Sequence, residues 1–223
     1  MDRQDIRDNV RLTMVLEDTN VTDAQLNLII NQGIEEIAIA EDWPWLEASA
    51  TITFVADTQT YSLPADWNRT EKIVDDDNDN TIPYISASTF FQNVGNDTGN
   101  SSDTPNYFTI WESNIYISPI PSSADTDRLT HYYYKNPTTL SADDDTPEWD
   151  AAFHWILVEY AKWKLYEREE YYDVSERAFI NYARYMNDMA AFYNTQVNRA
   201  LFIYGDGLHK RFGDPNIPSL RTI

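Results

Sequence analysis

The sequence predicts an α+β chain that is mainly helical: a bundle of long helices with an inserted β-rich module of hairpin or sandwich type and an extended C-terminal tail. Three observations carry this expectation. Apolar residues recur every three or four positions near both ends of the chain, the period of a one-sided helix. Between residues 49 and 138 the period drops to two, as in half-buried strands. Residues 199–223 mix Gly205, Gly207, Gly213, Pro215 and Pro218 with large apolar side chains, too broken for a helix and too apolar for a free tail. The expected organisation is residues 1–48 and 139–198 as one helical bundle, 49–138 as the inserted module and 199–223 as the tail.

In chain order, residues 2–17 place Ile6, Val10, Leu12 or Thr13 and Leu16 roughly one per turn, with Asp2 and Asp5 at the end where the helix dipole favours acids. A second helix is N-capped by Thr22, has Asp23 in its first turn, and carries Leu26, Ile29 or Ile30, Gly33 or Ile34, Ile37 and Ala40 on one face. It ends before Pro44, whose ring disfavours helical geometry in the residue ahead of it. In the module, Ile52 and Phe54 alternate up to an Ala-Asp-Thr turn and Tyr61 and Leu63 continue beyond it, a first hairpin. Residues 69–75 and 80–86 flank an acidic tip as a second. PNYFTIW, NIYISPIP and RLTHYYYKNP supply three more extended segments, and Ser88–Val94 reads as a short helix followed by a polar loop. Helical periodicity returns after Thr146, a cap, and Pro147, suited to the first helical position. Trp149, Phe153, Ile156 or Leu157, Tyr160 and Lys164 form one stripe to Glu169. Val174, Ala178, Tyr182, Tyr185, Met189 and Phe192 form the next over 172–197, completing an αα-hairpin.

The 223 residues are 42% hydrophobic and 14% aromatic, enough for a real core and for extensive interfaces whose phenol and indole groups need polar partners. With no cysteine, disulfides, thiolate metal sites and thiol nucleophiles are excluded. No signal-like segment opens the chain and no apolar run reaches the ~18 residues of a membrane span, so it reads as a soluble, cytosolic product without a membrane partner. The formal net charge of −21 argues against a sequence-independent grip on nucleic-acid phosphates. The tail differs in sign: Arg199, Lys210, Arg211 and Arg221 face only Asp206 and Asp214, leaving the excess of acid on residues 1–198.

Several groups invite a chemical reading and are better explained otherwise. Asp75, Asp77 and Asp79 have the 1, 3, 5 spacing of a calcium loop, but Asn80 stands where the turn glycine belongs and Ser86 where the bidentate Glu belongs. A solvated hairpin tip is the simpler reading. Asp143, Asp144 and Asp145 suit a role at the following helix start. His131, His154 and His209 lie in a strand, a helix and the tail, without the i, i+4 pairing of a helical metal site. No nucleophile elbow or phosphate loop is present, and the acid pairs Glu35–Glu36, Glu169–Glu170 and Glu148 with Asp150 fit solvated faces. No catalytic residue, metal or cofactor is expected. In HYYYK, Tyr132 and Tyr134 face opposite His131 and Tyr133; without a basic groove for single-stranded nucleic acid, core plus subunit interface is the better reading.

The motifs that remain have a shared order: Tyr61-Ser62-Leu63-Pro64 followed by Trp67 and Arg69, Pro105-x-Tyr107 leading to Ile115-Tyr116-Ile117-Ser118-Pro119-x-Pro121, and Tyr134-x-x-Pro137 before Leu140-Ser141. With the flanking helices, this resembles the head-to-tail adaptor (head completion, or connector) proteins of tailed bacteriophages. The resemblance spans about residues 43–150; the family's Gly-x-Pro-x-x-Tyr corresponds here to Asp103-x-Pro105-x-x-Phe108 or to Pro105-Asn106-Tyr107. It implies a non-enzymatic virion protein of the neck, made in the host bacterial cytoplasm. It also implies a ring of about twelve copies, docked beneath the portal protein, bearing tail or nozzle proteins below and letting DNA through without specific binding. A negative wall fits such a channel. The tail, with Leu201, Phe202, Ile203, Tyr204, Leu208, Arg211, Phe212, Ile217 and Leu220, fits a peptide clamp onto the portal. The alternative is a carbohydrate-binding or carbohydrate-active module of a phage tail tip, suggested by the Trp and Tyr content; an enzyme with an unrecognised site has no specific support.

Overall fold

A computed structural model describes residues 1–14, 21–93 and 101–194. Helices α1 (Arg3–Met14), α2 (Asp23–Ala40), α3 (Ala87–Asn93), α4 (Trp155–Arg168) and α5 (Tyr172–Asn194) accompany seven strands. These are β1 (Glu47–Phe54), β2 (Thr60–Ser62), β3 (Trp67–Asp75), β4 (Asn80–Ile82), β5 (Tyr107–Trp111), β6 (Asn114–Ser118) and β7 (Asp125–Lys135). The chain is α+β but not mainly helical. Two antiparallel sheets take up the middle of the sequence, and the third long helix starts later than its periodicity suggested. Two compact units result, one of Met1–Trp45 with Pro137–Ile223 and one of Leu46–Asn136.

In the first unit α4 lies against α5, α2 and α1. α2 begins with a complete capping box: Gln25 N–H donates to Thr22 Oγ1 at 3.3 Å and Thr22 N–H donates back to Gln25 Oε1 at 3.0 Å. Its inward stripe is Leu26, Ile30, Gly33, Ile34 and Ile37, all buried. Gly33 is required by packing. A Cβ there would lie 2.7 Å from Tyr160 Cδ1 and 3.1 Å from Leu157 Cδ2, so the absent side chain sets how closely α2 meets α4.

The acidic run at 143–145 does not cap the helix that follows it. Its backbone carbonyls cap α1 instead, Asp145 accepting from Arg3 N–H at 2.8 Å and Asp143 from Gln4 N–H at 3.1 Å. The Asp143 carboxylate also pairs with Arg3 and Arg7 at 2.8 and 2.9 Å, which holds its pKa below the usual carboxylate range. Thr146 and Pro147 consequently open no helix. Asp145 Oδ2 accepts from the N–H groups of Ser141 and Ala142, closing a turn, and Pro147 and Trp149 are buried in the passage that follows. Asp150 then caps a short 3₁₀ turn through Ala152 N–H at 2.9 Å, and α4 starts only at Trp155.

In the second unit the strand order is β1-β7-β3-β4 in one sheet and β2-β6-β5 in the other. Both contribute to a single core of Ile52, Phe54, Ile73, Ile82 and Leu129 from the first and Phe108, Ile115 and Ile117 from the second, with Tyr61, Leu63 and Ile110 against it. The expected first hairpin does not form: β1 pairs with β7 and β2 with β6, so the turn after Phe54 carries the chain from one sheet to the other. That crossing is held by Asp57, in the left-handed region at φ 59°, whose N–H donates to Pro121 O at 2.9 Å. The expected second hairpin is present as β3–β4, with Ile73 opposite Ile82.

β5 and β6 are joined by Glu112-Ser113, both at positive φ (49° and 62°). This is the primed two-residue turn that matches strand twist, built from residues that pay a steric cost there. Replacing Glu112-Ser113 with Asn-Gly is expected to stabilise the second unit by about 0.5–1 kcal/mol. A rise in the urea midpoint at constant slope checks it.

Candidate interaction surfaces

The residues singled out by the resemblance mostly build turns of the second unit. Tyr61, in β2, rests beside Phe54 with ring centroids 6.0 Å apart and donates its hydroxyl to Thr58 O at 3.0 Å. Leu63 N–H donates to Ser113 O at 3.2 Å, and Pro64 O accepts Trp67 N–H at 3.1 Å, closing the Pro-Ala-Asp-Trp turn that leads from β2 in the small sheet into β3 in the large one. Pro105 and Pro121 are buried, and Pro119 follows a cis peptide bond after Ser118. Asp103 fastens this region by accepting from Ser122 and Ser123, hydroxyls and backbone N–H alike, which lowers its pKa. Tyr107 is exposed on β5 with Trp111, whose ring meets Phe91 edge-on. Pro137, half-buried, belongs to the first unit.

Trp67 anchors a half-buried polar chain. Its indole N–H donates to Thr70 Oγ1 at 3.0 Å, and Thr70 Oγ1 lies 2.9 Å from His131 Nε2. His131 stacks on Tyr133, whose hydroxyl donates to Asp66 Oδ1 at 3.0 Å. Burial pushes His131 down to about 4. The unfolded chain therefore takes up this proton near pH 6.5 while the folded chain resists it, so stability is full above about pH 6.5 and falls as pH drops toward 4, by at most about 1.4 kcal/mol per unit. Urea unfolding at pH 7, 6 and 5 is expected to show this slope, and His131→Gln to reduce it.

The outward face of β1-β7-β3 is of another kind. Rows run Glu47–Tyr134–Arg69 and Ser49–Tyr132 with Lys72 opposite, following the pairing register. Arg69 Cζ sits 4.6 Å over the Tyr134 ring and Lys72 Nζ 4.9 Å over that of Tyr132, so each of two cations lies over a tyrosine ring. Tyr132 is 40% exposed. The alternation of HYYYK was readable in the sequence, but the cations that join it come from β3, some 60 residues earlier, and were not.

At the other end of the same sheet the β3–β4 turn and the start of β7 gather Asp75, Asp76, Asp77, Asp79, Asp125 and Asp127. The tip is not simply solvated. Asp75 is buried and meets Arg128 at 3.0 Å; Arg128 also pairs with Asp77 and, at 3.3 Å, with Asp125. Burial opposes the Arg128 charge, but Asp75 first and Asp77 next hold its pKa above the ordinary value. Two of the three carboxylates spaced as for calcium, Asp75 and Asp77, thus serve a guanidinium.

Among the described residues no group of three or more His, Asp or Glu side chains is placed to hold a metal ion, and no helix is long and apolar enough to cross a membrane. His131 and His154 are both buried, in separate units, and His209 lies outside the described residues. So do all the tail positions named above, Leu201, Phe202, Ile203, Tyr204, Leu208, Arg211, Phe212, Ile217 and Leu220, together with Leu16 and Val94.

No curated protein matches the chain. The family model described as SU10 adaptor protein matches residues 1–204, which takes in the second unit, most of the first and the whole of the motif region. The match covers nearly the whole of the chain, and on it the chain belongs to the SU10 adaptor protein family, a family of bacteriophage head–tail adaptors.

Proposed function

We propose that this protein forms the adaptor ring between capsid and tail, about twelve copies in cyclic symmetry, docked on the portal protein and lining the DNA channel. The observation that carries the reading is the family match across residues 1–204. The rest supports it. Turns rather than clefts absorb the motif residues, as a protein with a geometric task and no catalytic one requires. The helices of the first unit act as a bundle, and the double-sheet unit supplies the faces for neighbours. The slightly basic apolar tail docks on the portal as an extended peptide, and tail or nozzle proteins attach below. A chain of net charge −21 gives a wall that repels phosphates, so the genome slides without sticking.

The test is a phage lacking this chain. DNA-containing heads without tails are expected, with tails restored by the chain supplied in trans, and antibody against the chain is expected to label the neck of complete particles. Tailed, infective particles without the chain would refute the reading.

A further inference from the structure

Each sheet of the second unit ends in two edge strands, β1 and β4 in one and β2 and β5 in the other. Three of these edges are short or already taken. β2 and β4 have three residues each, and Pro83 follows β4. β5 is engaged at Phe108, whose N–H donates to Pro83 O at 3.1 Å and whose carbonyl accepts from Ile85 N–H at 2.9 Å. β1 differs from all three. It has eight residues, and among the described residues no backbone group of Ala48–Thr53 is bonded except across to β7. In an antiparallel pair every second residue turns its N–H and C=O away from the partner strand, so β1 offers a row of unpaired donors and acceptors. Nothing in Ala48–Ile52 blocks that edge: it holds neither Lys nor Pro, and its register with β7 is regular.

The core-facing side of β1 is also incompletely covered. Ile52 and Phe54 are buried in the core, but Ala48 and Ala50, on the same side by alternation, are only half-buried. A strand laid beside β1 would bond its free edge and bring large side chains to these two small ones.

The chain carries such a segment outside the described residues. Leu201-Phe202-Ile203-Tyr204 is an uncharged apolar run in which Phe, Ile and Tyr favour strands, and Gly205 closes it. α5 delivers it close to the start of β1. Tyr193, the residue before the last of α5, has its ring 6.2 Å from that of Trp43, and its hydroxyl accepts from Asp150 N–H at 2.9 Å. β1 begins at Glu47, four residues after Trp43, at most about 14 Å of chain. The eight residues from Tyr193 to Leu201 span up to about 29 Å, which lets the run reach that edge.

We infer that Leu201–Tyr204 adds to the outer edge of β1 in the same chain, as a fifth strand of its sheet. Main-chain hydrogen bonds hold the segment, and alternate side chains cover Ala48 and Ala50. The inference goes beyond the adaptor reading and holds for the free chain. It leaves the portal to Leu208–Leu220, the stretch that contains Lys210 and Arg211.

The experiment is amide hydrogen exchange, read residue by residue by NMR, on the chain without portal. The Ala48–Ile52 amides that face away from β7 are expected to exchange at least about tenfold faster in a chain ending at Asn198 than in the full chain. Those facing β7 are expected to keep their protection and so to report an intact sheet. A chain ending at Asp206 is expected to behave as the full chain. Phe202→Pro with Ile203→Pro, which keeps the length, is expected to behave as the chain ending at Asn198. Adjacent residues of a strand point opposite ways, so one of the two lost N–H groups faces β1 in either register. Equal exchange in the full chain, the proline variant and the chain ending at Asn198 would overturn the inference. So would protection that fades on dilution, which would make the occupant the tail of a second copy, and protection that is missing from the chain ending at Asp206, which would put the strand later in the tail. The portal takes no part in these measurements, so the adaptor reading stands or falls separately.

Discussion

Arg128→Ala is expected to destabilise the second unit by about 3–5 kcal/mol, the cost of leaving a buried charge without its partner. Asp75 is 2% exposed and pairs with Arg128 at 3.0 Å, so removal of the guanidinium strands a carboxylate in the protein interior. Asp77 and Asp125 lose their counter-charge at the same time. Hydrogen bonds to Asp75 from Asp77 N–H and Asn78 remain and place the loss toward the lower end of that range. The converse sharpens the point. Replacing both Arg128 and Asp75 by apolar residues of similar volume removes the charge and its partner together, which is often nearly neutral. Urea unfolding of the two single variants and the double gives the coupling directly. Hydrogen exchange is expected to show lost protection in β3, β4 and β7 for the single variants, with α2 and α4 unchanged.

Gly33→Leu is expected to unfold the first unit or reduce its stability by several kcal/mol. Even a methyl group at this position would sit 2.7 Å from Tyr160 Cδ1, inside van der Waals contact. Tyr160 is 1% exposed and its ring has neighbours in Trp163 and Tyr182, at centroid distances of 5.7 and 5.5 Å, so it has little room to turn away. Gly33→Ala sets two terms against each other. Helix propensity favours Ala by about 1 kcal/mol, whereas overpacking costs about 1–3 kcal/mol. A net loss is expected because the obstructing atoms belong to a buried ring. Thermal unfolding followed by helical circular dichroism checks both variants, and a stabilising Gly33→Ala would show that α2 and α4 separate cheaply.

Local signals in the sequence were reliable at several element ends, though not at Thr146-Pro147, which open no helix. Thr22 and Gln25 announce the start of α2, Pro44 its limit, and the acidic stretch between Val74 and Thr81 the β3–β4 hairpin. Pairings between distant segments were not legible. Nothing in Glu47–Phe54 says that its partner is β7, some 80 residues away, and adjacency suggested β2 instead. The same limit hid the role of the acids. Asp143 caps and pairs with α1 from 140 residues away, and Asp75 waits for Arg128 across 53 residues, so local rules assigned one to the wrong helix and the other to solvent. The family was legible for the opposite reason. Its motifs are short local patterns of strand ends and turns, readable from order and spacing alone, and they include the stretches where β2 crosses to β3 and where β6 leads to β7.

In the proposed role this chain docks on the portal through its tail and closes a ring there. The mass of the portal complex, measured for the full chain and for one ending at Asn198, tests it most directly. A closed ring of chains on the portal is expected with the full sequence and none without residues 199–223. A full chain that stays unbound, or a shortened chain that assembles equally well, would contradict it.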